Sequence, residues 1–151
     1  MNYGKAIEVY TEKLGTHKIM ALAASVNDIV SVRNVSCIFY DGRIYFKTDK
    51  EFRKTRQLLE NPNVALCTGG IQVEGTAQNM GLLTEQPDQR FTQLYEEYWE
   101  VSYNAYPHKE SEILIEVTPR FVEIWDQRED NYGYQILIDM DKETAVQKDY
   151  D

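Results

Sequence analysis

The sequence predicts a small, mainly antiparallel β-barrel with added helices. About six segments are rich in β-branched and aromatic residues, and tight-turn signals join most of them. Predicted helices do not alternate regularly with these segments, which argues against a doubly wound parallel sheet. With 151 residues, of which 42% are hydrophobic and 27% charged, the chain has the length of a single domain and enough apolar residues for a packed core.

Helical periodicity appears in three segments. An amphipathic N-terminal helix is predicted within residues 1–16, where apolar side chains recur three or four positions apart until Gly15. Residues 51–60 form a short predicted helix that Asn61-Pro62-Asn63 terminates. The longest predicted helix is an insert at residues 88–106, which Pro107 closes.

Strand patterns account for most of the remaining chain. In order, the predicted strands are residues 18–25, 29–40, 43–48, 64–68, 71–80 and 112–125, the last one broken at Pro119. Asn27-Asp28 supplies a turn, and Asp41-Gly42 between two strand segments is the strongest short-range hairpin signal. Residues 126–151 are mostly polar and are predicted to form a C-terminal tail with one short apolar run.

Composition excludes several classes of partner. The sequence has 16 basic and 25 acidic residues, a net charge of −9, so its surface should repel nucleic acid. No run reaches the ~18 apolar residues of a membrane span, and the N-terminus lacks the apolar core of a signal peptide. We therefore expect a cytoplasmic protein that binds neither nucleic acid nor membrane. Cys37 and Cys67 each lie in an apolar run and are predicted to be buried, reduced thiols.

No catalytic motif built from side chains is recognisable. His17 and His108 do not lie at metal-ligand spacing from another ligand, so the sequence predicts no metal site. No nucleophile elbow, zinc-protease motif or phosphate-binding loop is present. If the protein is an enzyme, a bound cofactor has to supply the chemistry.

One basic segment stands out in this acidic chain. Residues 47–56 contain nearly a third of all positive charges, namely Lys47, Lys50, Arg53, Lys54 and Arg56. The segment runs from a strand end into a helix N-terminus, where unpaired backbone N–H groups favour an anion such as a terminal phosphate. The alternative is a solvated helix face on which Thr48 and Glu51 form a capping box.

Arg33 and Trp125 are two further candidates. Arg33 lies in the middle of a strand, either as an outward-facing arginine or as the partner of a phosphate or ring carbonyl. Trp125 ends the last barrel strand, where it either packs in a core or interface or stacks near a ligand.

Taken in order, several segments resemble the pyridoxamine-phosphate-oxidase-like family of FMN-binding split barrels. They are residues 21–25, Val32-Arg33-Asn34-Val35, the hairpin at 40–46, Thr48 with Arg53-Lys54, and residues 61–66, 73–77 and 121–125. The resemblance covers roughly residues 17–125 and implies a six-stranded antiparallel split barrel. It also implies a homodimer that holds FMN at the subunit interface and acts on a small molecule.

The resemblance also implies which residues contact the cofactor. The expected FMN-binding residues are Arg33, Asn34, Val35, Lys47, Thr48, Arg53, Lys54 and Trp125. Arg53 and Lys54 would bind the phosphate, and Trp125 corresponds to a tryptophan that approaches the cofactor from the partner subunit. No residue is assigned as a catalytic acid or base.

Two departures from the family pattern bear on function. Residues 126–131 are acidic and lack the histidine-containing motif that binds substrate in true pyridoxamine-phosphate oxidases, and Gly70 stands where family members place a glutamine. The tyrosine-rich insert at 88–106 looks more like the nitroimidazole-resistance and general-stress flavoproteins. Its tyrosines either wall a flat pocket or pack the helix on the barrel: Tyr95, Tyr98, Tyr103 and Tyr106.

The sequence therefore predicts an FMN-dependent oxidoreductase that acts on a flat, electron-poor small molecule such as a nitroaromatic or a quinone. Oxidation of pyridoxamine phosphate is not expected. The alternative is a non-catalytic flavin- or haem-binding protein that serves as a sensor or a store.

Overall fold

The structure is a computed structural model that describes residues 1–106 and 109–151. In chain order, its elements are α1 (Tyr3–Leu14), β1 (His17–Val26), β2 (Ile29–Tyr40), β3 (Arg43–Asp49), α2 (Arg53–Glu60), β4 (Asn63–Thr68), β5 (Ile71–Leu82), a 3-10 turn (Leu83–Glu85), α3 (Arg90–Tyr98), α4 (Glu100–Ala105), β6 (Glu112–Gln127), β7 (Gly133–Asp139) and β8 (Thr144–Tyr150). None of the described helices is long and apolar enough to cross a membrane.

The strands form one antiparallel sheet in the order β3-β2-β1-β4-β5-β6-β7-β8. Pairing between β3 and β6 closes the first six strands into a barrel, and β7 and β8 extend the sheet beyond it. The barrel interior is filled by side chains that are less than 2% exposed, among them Met20, Leu22, Phe46, Leu66 and Ile115. The predicted fold class is confirmed. Cys37 is buried as predicted, but the predicted burial of Cys67 is wrong, because its position on β4 is on the outward face of the strand.

Both predicted hairpin turns are present. Asn27 and Asp28 have φ values of 52° and 64°, and Asp41 and Gly42 have φ values of 52° and 72°. Two successive residues in the left-handed region give the turn a twist that matches the strands it joins. Asn, Asp and Gly adopt that region at the lowest cost, so these short signals fix the hairpins locally.

The predicted break in the alternation at Pro119 is confirmed, because the buried positions change there from odd to even residue numbers, although β6 itself runs from Glu112 to Gln127. The pairing register between β5 and β6 shifts at Gly75, which lies opposite Pro119. A Cβ atom on Gly75 would lie 2.6 Å from the carbonyl oxygen of Thr118. The bulge, with Gly75 on β5, thus accommodates Pro119, which has no N–H group to donate to the strand pairing.

The predicted capping box is wrong. Helix α2 begins at Arg53, and its N-cap residue, Phe52, makes no side-chain hydrogen bond to the helix. Thr48 remains in β3, where its buried hydroxyl pairs with that of Thr55 at 2.9 Å. The side chain of Asp49 instead accepts from the backbone N–H of Glu51 at 2.9 Å, which turns the chain before the helix starts.

The predicted single helix at residues 88–106 is two helices, α3 and α4, separated at Trp99. The backbone of Trp99 has φ −124° and ψ 43°, outside the helical region. Its indole N–H donates to the carbonyl oxygen of Cys37 on β2 at 3.1 Å. This tertiary anchor explains the break. Pro107, which was expected to close the helix, and His108 lie outside the described residues.

The C-terminal region is more ordered than the predicted tail. Its apolar run lies in β7, and residues 144–150 form an additional edge strand, β8. Most β8 side chains are exposed, so the strand has no buried face that sequence alternation would reveal.

Candidate anion-binding site

Arg33 is held at one end of its guanidinium group. Its Nη2 atom donates to Gln57 Oε1 and to Ser31 Oγ, each at 2.8 Å. Its Nη1 atom is buried and has no hydrogen-bond partner among the described residues. A buried donor without an acceptor is costly, so this atom marks a place where a ligand oxygen would be favourable.

Two further cations come from the first turn of α2. The pKa of Arg33 is lowered, chiefly because its guanidinium group is buried and also because the positive charge of Arg53 acts on it. Burial, followed by the charges of Arg33 and Lys47, lowers the pKa of Lys54. In the part of the chain that the structure describes, none of the ion pairs involves Arg33, Arg53 or Lys54.

These three residues form a cation cluster, which we define as Arg33, Arg53 and Lys54. No side chain caps α2, so its first backbone N–H groups and the positive end of its dipole add to the same field. An anion placed there would meet charged donors and a helix N-terminus together. β2 and α2 thus bring together three of the residues that the sequence predicts for an anion site, whose binding of an anion stays a prediction.

Lys47 differs from the cation cluster. Its ammonium group is ion-paired with Glu112, and both side chains are almost fully buried. The same ammonium lies 5.1 Å from the centre of the Tyr95 ring. Lys47 is therefore already neutralised by a carboxylate, and its role as a cofactor contact stays a prediction.

The remaining predicted site residues are dispersed. Thr48 is buried beneath α2, and Val35 is buried in the barrel core, whereas Asn34 is exposed on β2. Trp125 is about half exposed at the far end of β6, where its ring lies 5.5 Å from that of Tyr150. Among the described residues of one chain, none of the side-chain hydrogen bonds, ion pairs or ring contacts joins Trp125 to the cation cluster.

The helical insert contributes two of its four tyrosines to a cavity. Tyr95 and Tyr103 line a space of about 100 Å³ together with Phe91 and the Lys47–Glu112 pair. Tyr98 instead stacks on His17 with ring centres 4.2 Å apart. The hydroxyl of Tyr106 is bonded to Asp49, which raises its pKa to about 12. Tyr95 and Tyr103 therefore line a cavity, whereas Tyr98 and Tyr106 contact the barrel.

Sequence reasoning missed Ser31 and Gln57. Ser31 Oγ donates to Gln57 Oε1 at 3.1 Å, which completes a triangle with Arg33. Gln57 lies four residues after Arg53, so both project from one face of α2. That spacing was the available signal, but the pairing of α2 with β2 is a tertiary contact.

A family model described as pyridoxamine 5'-phosphate oxidase matches residues 7–126. The chain belongs to the pyridoxamine 5'-phosphate oxidase family. The resemblance seen in the sequence is confirmed at this level. No curated protein matches the sequence.

Several solved structures share the fold of this chain. PhzG from Burkholderia lata 383, in complex with tetrahydrophenazine-1-carboxylic acid, is 16% identical at a TM-score of 0.64, covering 99% of this chain and 92% of its own. A pyridoxamine 5'-phosphate oxidase-related, FMN-binding protein from Nostoc punctiforme is 14% identical at a TM-score of 0.59, covering 88% and 87%. A NimC/NimA family protein from Clostridium acetobutylicum is 16% identical at a TM-score of 0.56, covering 98% and 94%.

Two positions where this family member departs from the expected pattern have structural explanations. A Cβ atom on Gly70 would lie 2.1 Å from the carbonyl oxygen of Trp125, so a glutamine there would require the strands to separate. Arg128 is ion-paired with Asp130, Asp149 and Asp151. The basic residue nearest to the missing substrate motif is therefore fully engaged by carboxylates.

The buried pair makes a stability prediction. Lys47→Met should lower the free energy of unfolding by about 3–5 kcal/mol, because it leaves the Glu112 carboxylate buried and unpaired. The double variant Lys47→Met/Glu112→Leu should recover most of that loss, since it removes both charges. Urea denaturation measures both.

Lys5→Met is the matched control, because Lys5 pairs with Glu8 at 3.6 Å on the exposed face of α1. It should cost less than about 0.5 kcal/mol. If Lys47→Met were as mild as Lys5→Met, the ion pair would not be buried as the structure has it.

Proposed function

We propose that this protein is a flavoprotein that binds FMN through the cation cluster and serves as an oxidoreductase. The observation that carries the proposal is the cluster itself: three cations that form no ion pair with a carboxylate among the described residues, in a protein whose net charge is −9. The similarity to the FMN-binding protein from Nostoc punctiforme supports it.

The residues of the cluster suit a phosphate monoester. A phosphate dianion offers several strong acceptor oxygens, which would satisfy the buried Arg33 Nη1 and offset the repulsion among the three cations. Arg53 and Lys54 would hold the phosphate together with the backbone N–H groups of α2. Bound FMN would supply the redox chemistry, and this chain would bind and orient it.

A homodimer is part of the proposal. On β2, Ile29, Val30 and Val32 are 67%, 70% and 66% exposed, an apolar patch that a monomer would leave in water. The outward residues of β5, Gln72, Glu74 and Gln78, are polar and do not extend this apolar surface. Residues alternate between the two faces of a strand, so Val30 and Val32 lie on the face of β2 opposite to Arg33, whereas Ile29 lies on the same face as Arg33. A partner docked over this end of β2 would therefore contact the strand that carries Arg33.

The substrate class follows from the walls near the site. Tyr95, Tyr103 and Phe91 present aromatic surface, which favours a flat ring. The complex of PhzG with tetrahydrophenazine-1-carboxylic acid, a fused-ring molecule bound to a protein of this fold, supports the same class of ligand. We propose a flat, electron-poor small molecule, such as a nitroaromatic or a quinone, as the electron acceptor.

The phosphate contact is tested by removing its two α2 cations. Arg53→Ala/Lys54→Ala should weaken FMN binding by at least about a hundredfold, because two charge-assisted contacts of about 1.5–3 kcal/mol each are lost and ~1.4 kcal/mol corresponds to tenfold in affinity. Titration of the apoprotein with FMN measures the affinity, with binding monitored by the quenching of flavin fluorescence.

Lys50→Ala/Arg56→Ala removes the same charge from the same segment and is the control. Both side chains are exposed, and Arg56 pairs with Glu51 at 3.5 Å. This control should bind FMN within about threefold of the wild type at 0.15 M salt, where exposed charges are screened. Equal losses in both double variants would contradict a specific phosphate site.

The dimer is tested by charge on the apolar patch. Light scattering at micromolar concentration should give the mass of a dimer for the wild type and of a monomer for Val30→Glu/Val32→Glu, because two buried carboxylates per protomer oppose association. Val101→Glu, at a position on α4 that is 85% exposed, should remain dimeric. A monomeric wild type would contradict both the dimer and a flavin site shared between subunits.

Activity separates an enzyme from a store or sensor. The FMN-loaded protein should be bleached by a reduced nicotinamide under anaerobic conditions and recover its yellow colour on addition of a nitroaromatic or quinone. Flavin that cannot be bleached would favour the non-catalytic alternative.

The FMN-loaded protein should show negligible oxidation of pyridoxamine phosphate, because Arg128 is neutralised by three carboxylates and cannot bind a second phosphate. Turnover of pyridoxamine phosphate near 1 s⁻¹, an ordinary enzymatic rate, would show that another surface binds it.

A further inference from the structure

We propose that Gln57 is a positioning residue that orients the Arg33 guanidinium toward the phosphate of the bound flavin while leaving its positive charge unneutralised. This inference rests on the proposed function and deepens it. It assigns a role to a residue that was not among those expected to contact FMN.

The geometry is a closed triangle of three side chains. Gln57 Oε1 accepts from Arg33 Nη2 at 2.8 Å and from Ser31 Oγ at 3.1 Å, and Arg33 Nη2 also donates to Ser31 Oγ at 2.8 Å. One edge of the guanidinium is thereby fixed. Since the group is planar, fixing Nη2 also fixes the direction of Nη1, which is buried and unpartnered.

The triangle ties the two elements of the cation cluster together. Arg33 and Ser31 belong to β2, whereas Gln57 lies one turn beyond Arg53 on α2. The bond between Gln57 and Arg33 therefore sets the distance of the β2 cation from the α2 cations. Two like charges would otherwise separate, because the repulsion from Arg53 acts on Arg33.

The chemical identity of residue 57 matters. An amide oxygen accepts a hydrogen bond but carries no net charge, so Arg33 keeps its full attraction for an anion. Glu112 shows the other outcome in the same molecule, because its carboxylate neutralises Lys47. A glutamate at position 57 would do the same to Arg33.

The test compares FMN with riboflavin, which lacks the phosphate. Affinities of the full-length apoprotein for both flavins are measured for the wild type, Gln57→Leu and Gln57→Glu. Gln57→Leu should weaken FMN binding roughly tenfold, the loss of one well-aligned charge-assisted contact. Gln57→Glu should weaken FMN binding at least as much. Riboflavin affinity should change less than about twofold in either variant.

A double-mutant cycle shows whether Gln57 acts through Arg33. In an Arg33→Ala background, Gln57→Leu should have no further effect on FMN affinity, within about twofold. Gln93→Leu, the same substitution at an exposed position of α3, should leave both affinities unchanged. Thermal melts confirm that each variant is folded, and the two substitutions at residue 57 guard against one of them failing to fold.

The outcomes separate the inference from the proposed function. A wild type that binds FMN no better than riboflavin would overturn the proposed phosphate site, and this inference with it. A wild type that prefers FMN, with Gln57→Leu retaining the full preference, would overturn only the role of Gln57. An equal loss for both flavins, or a loss that persists without Arg33, would also overturn it, since general packing would then account for the effect.

Discussion

Antiparallel pairing of β3 with β6 is the constraint on which the rest of the structure depends. It places residues 44–49 against residues 112–117, so that Asp49 and Glu112 lie side by side where the barrel closes. The chain then leaves β3 directly into α2, whose first turn is delivered to the edge of β2. The side chain of Asp49 also accepts hydrogen bonds from Tyr106 and from Ser111 at 2.7 Å, so the same strand end anchors the segment that follows α4. A change in the β3–β6 register would move the cation cluster and the tyrosine-lined cavity at once.

Buried charge is treated in two opposite ways within this region. The charge of Lys47 is balanced by Glu112, whereas that of Lys54 is opposed by burial and by neighbouring cations, which lower its pKa. A lysine with a lowered pKa binds fewer protons in the folded than in the unfolded state. Its unfavourable contribution to stability is therefore full at pH values below the lowered pKa and disappears as pH rises toward the ordinary value. The cation cluster thus destabilises the free protein at neutral pH, and a bound anion, by favouring the charged form, offsets that cost.

The features that sequence reasoning located are local ones. The Asn27-Asp28 and Asp41-Gly42 turns, the alternation of β5 and the basic run at 47–56 depend on residues adjacent in the chain. The errors arise where distant residues decide. Trp99 breaks the insert because its indole reaches Cys37, the N-terminus of α2 is set by Asp49 rather than by a Thr48–Glu51 box, and β8 forms because β7 offers it an edge. Gln57 was missed for the same reason, since its importance comes from a strand 24 residues earlier.

The cation cluster and the tyrosine-lined cavity interact electrostatically. The charge of Lys47, which lines the cavity, contributes to the lowered pKa of Lys54 in the cation cluster. Glu112, buried beside Lys47, offsets the charge of Lys47 in the cavity wall, whereas Lys109 adds a positive charge to the aromatic lining. A ligand with one anionic end and one flat end would therefore meet the cation cluster at one end and an aromatic, weakly positive wall at the other, across the end of β3. The uneven distribution of charge, rather than any single residue, is what suits this surface to such a molecule.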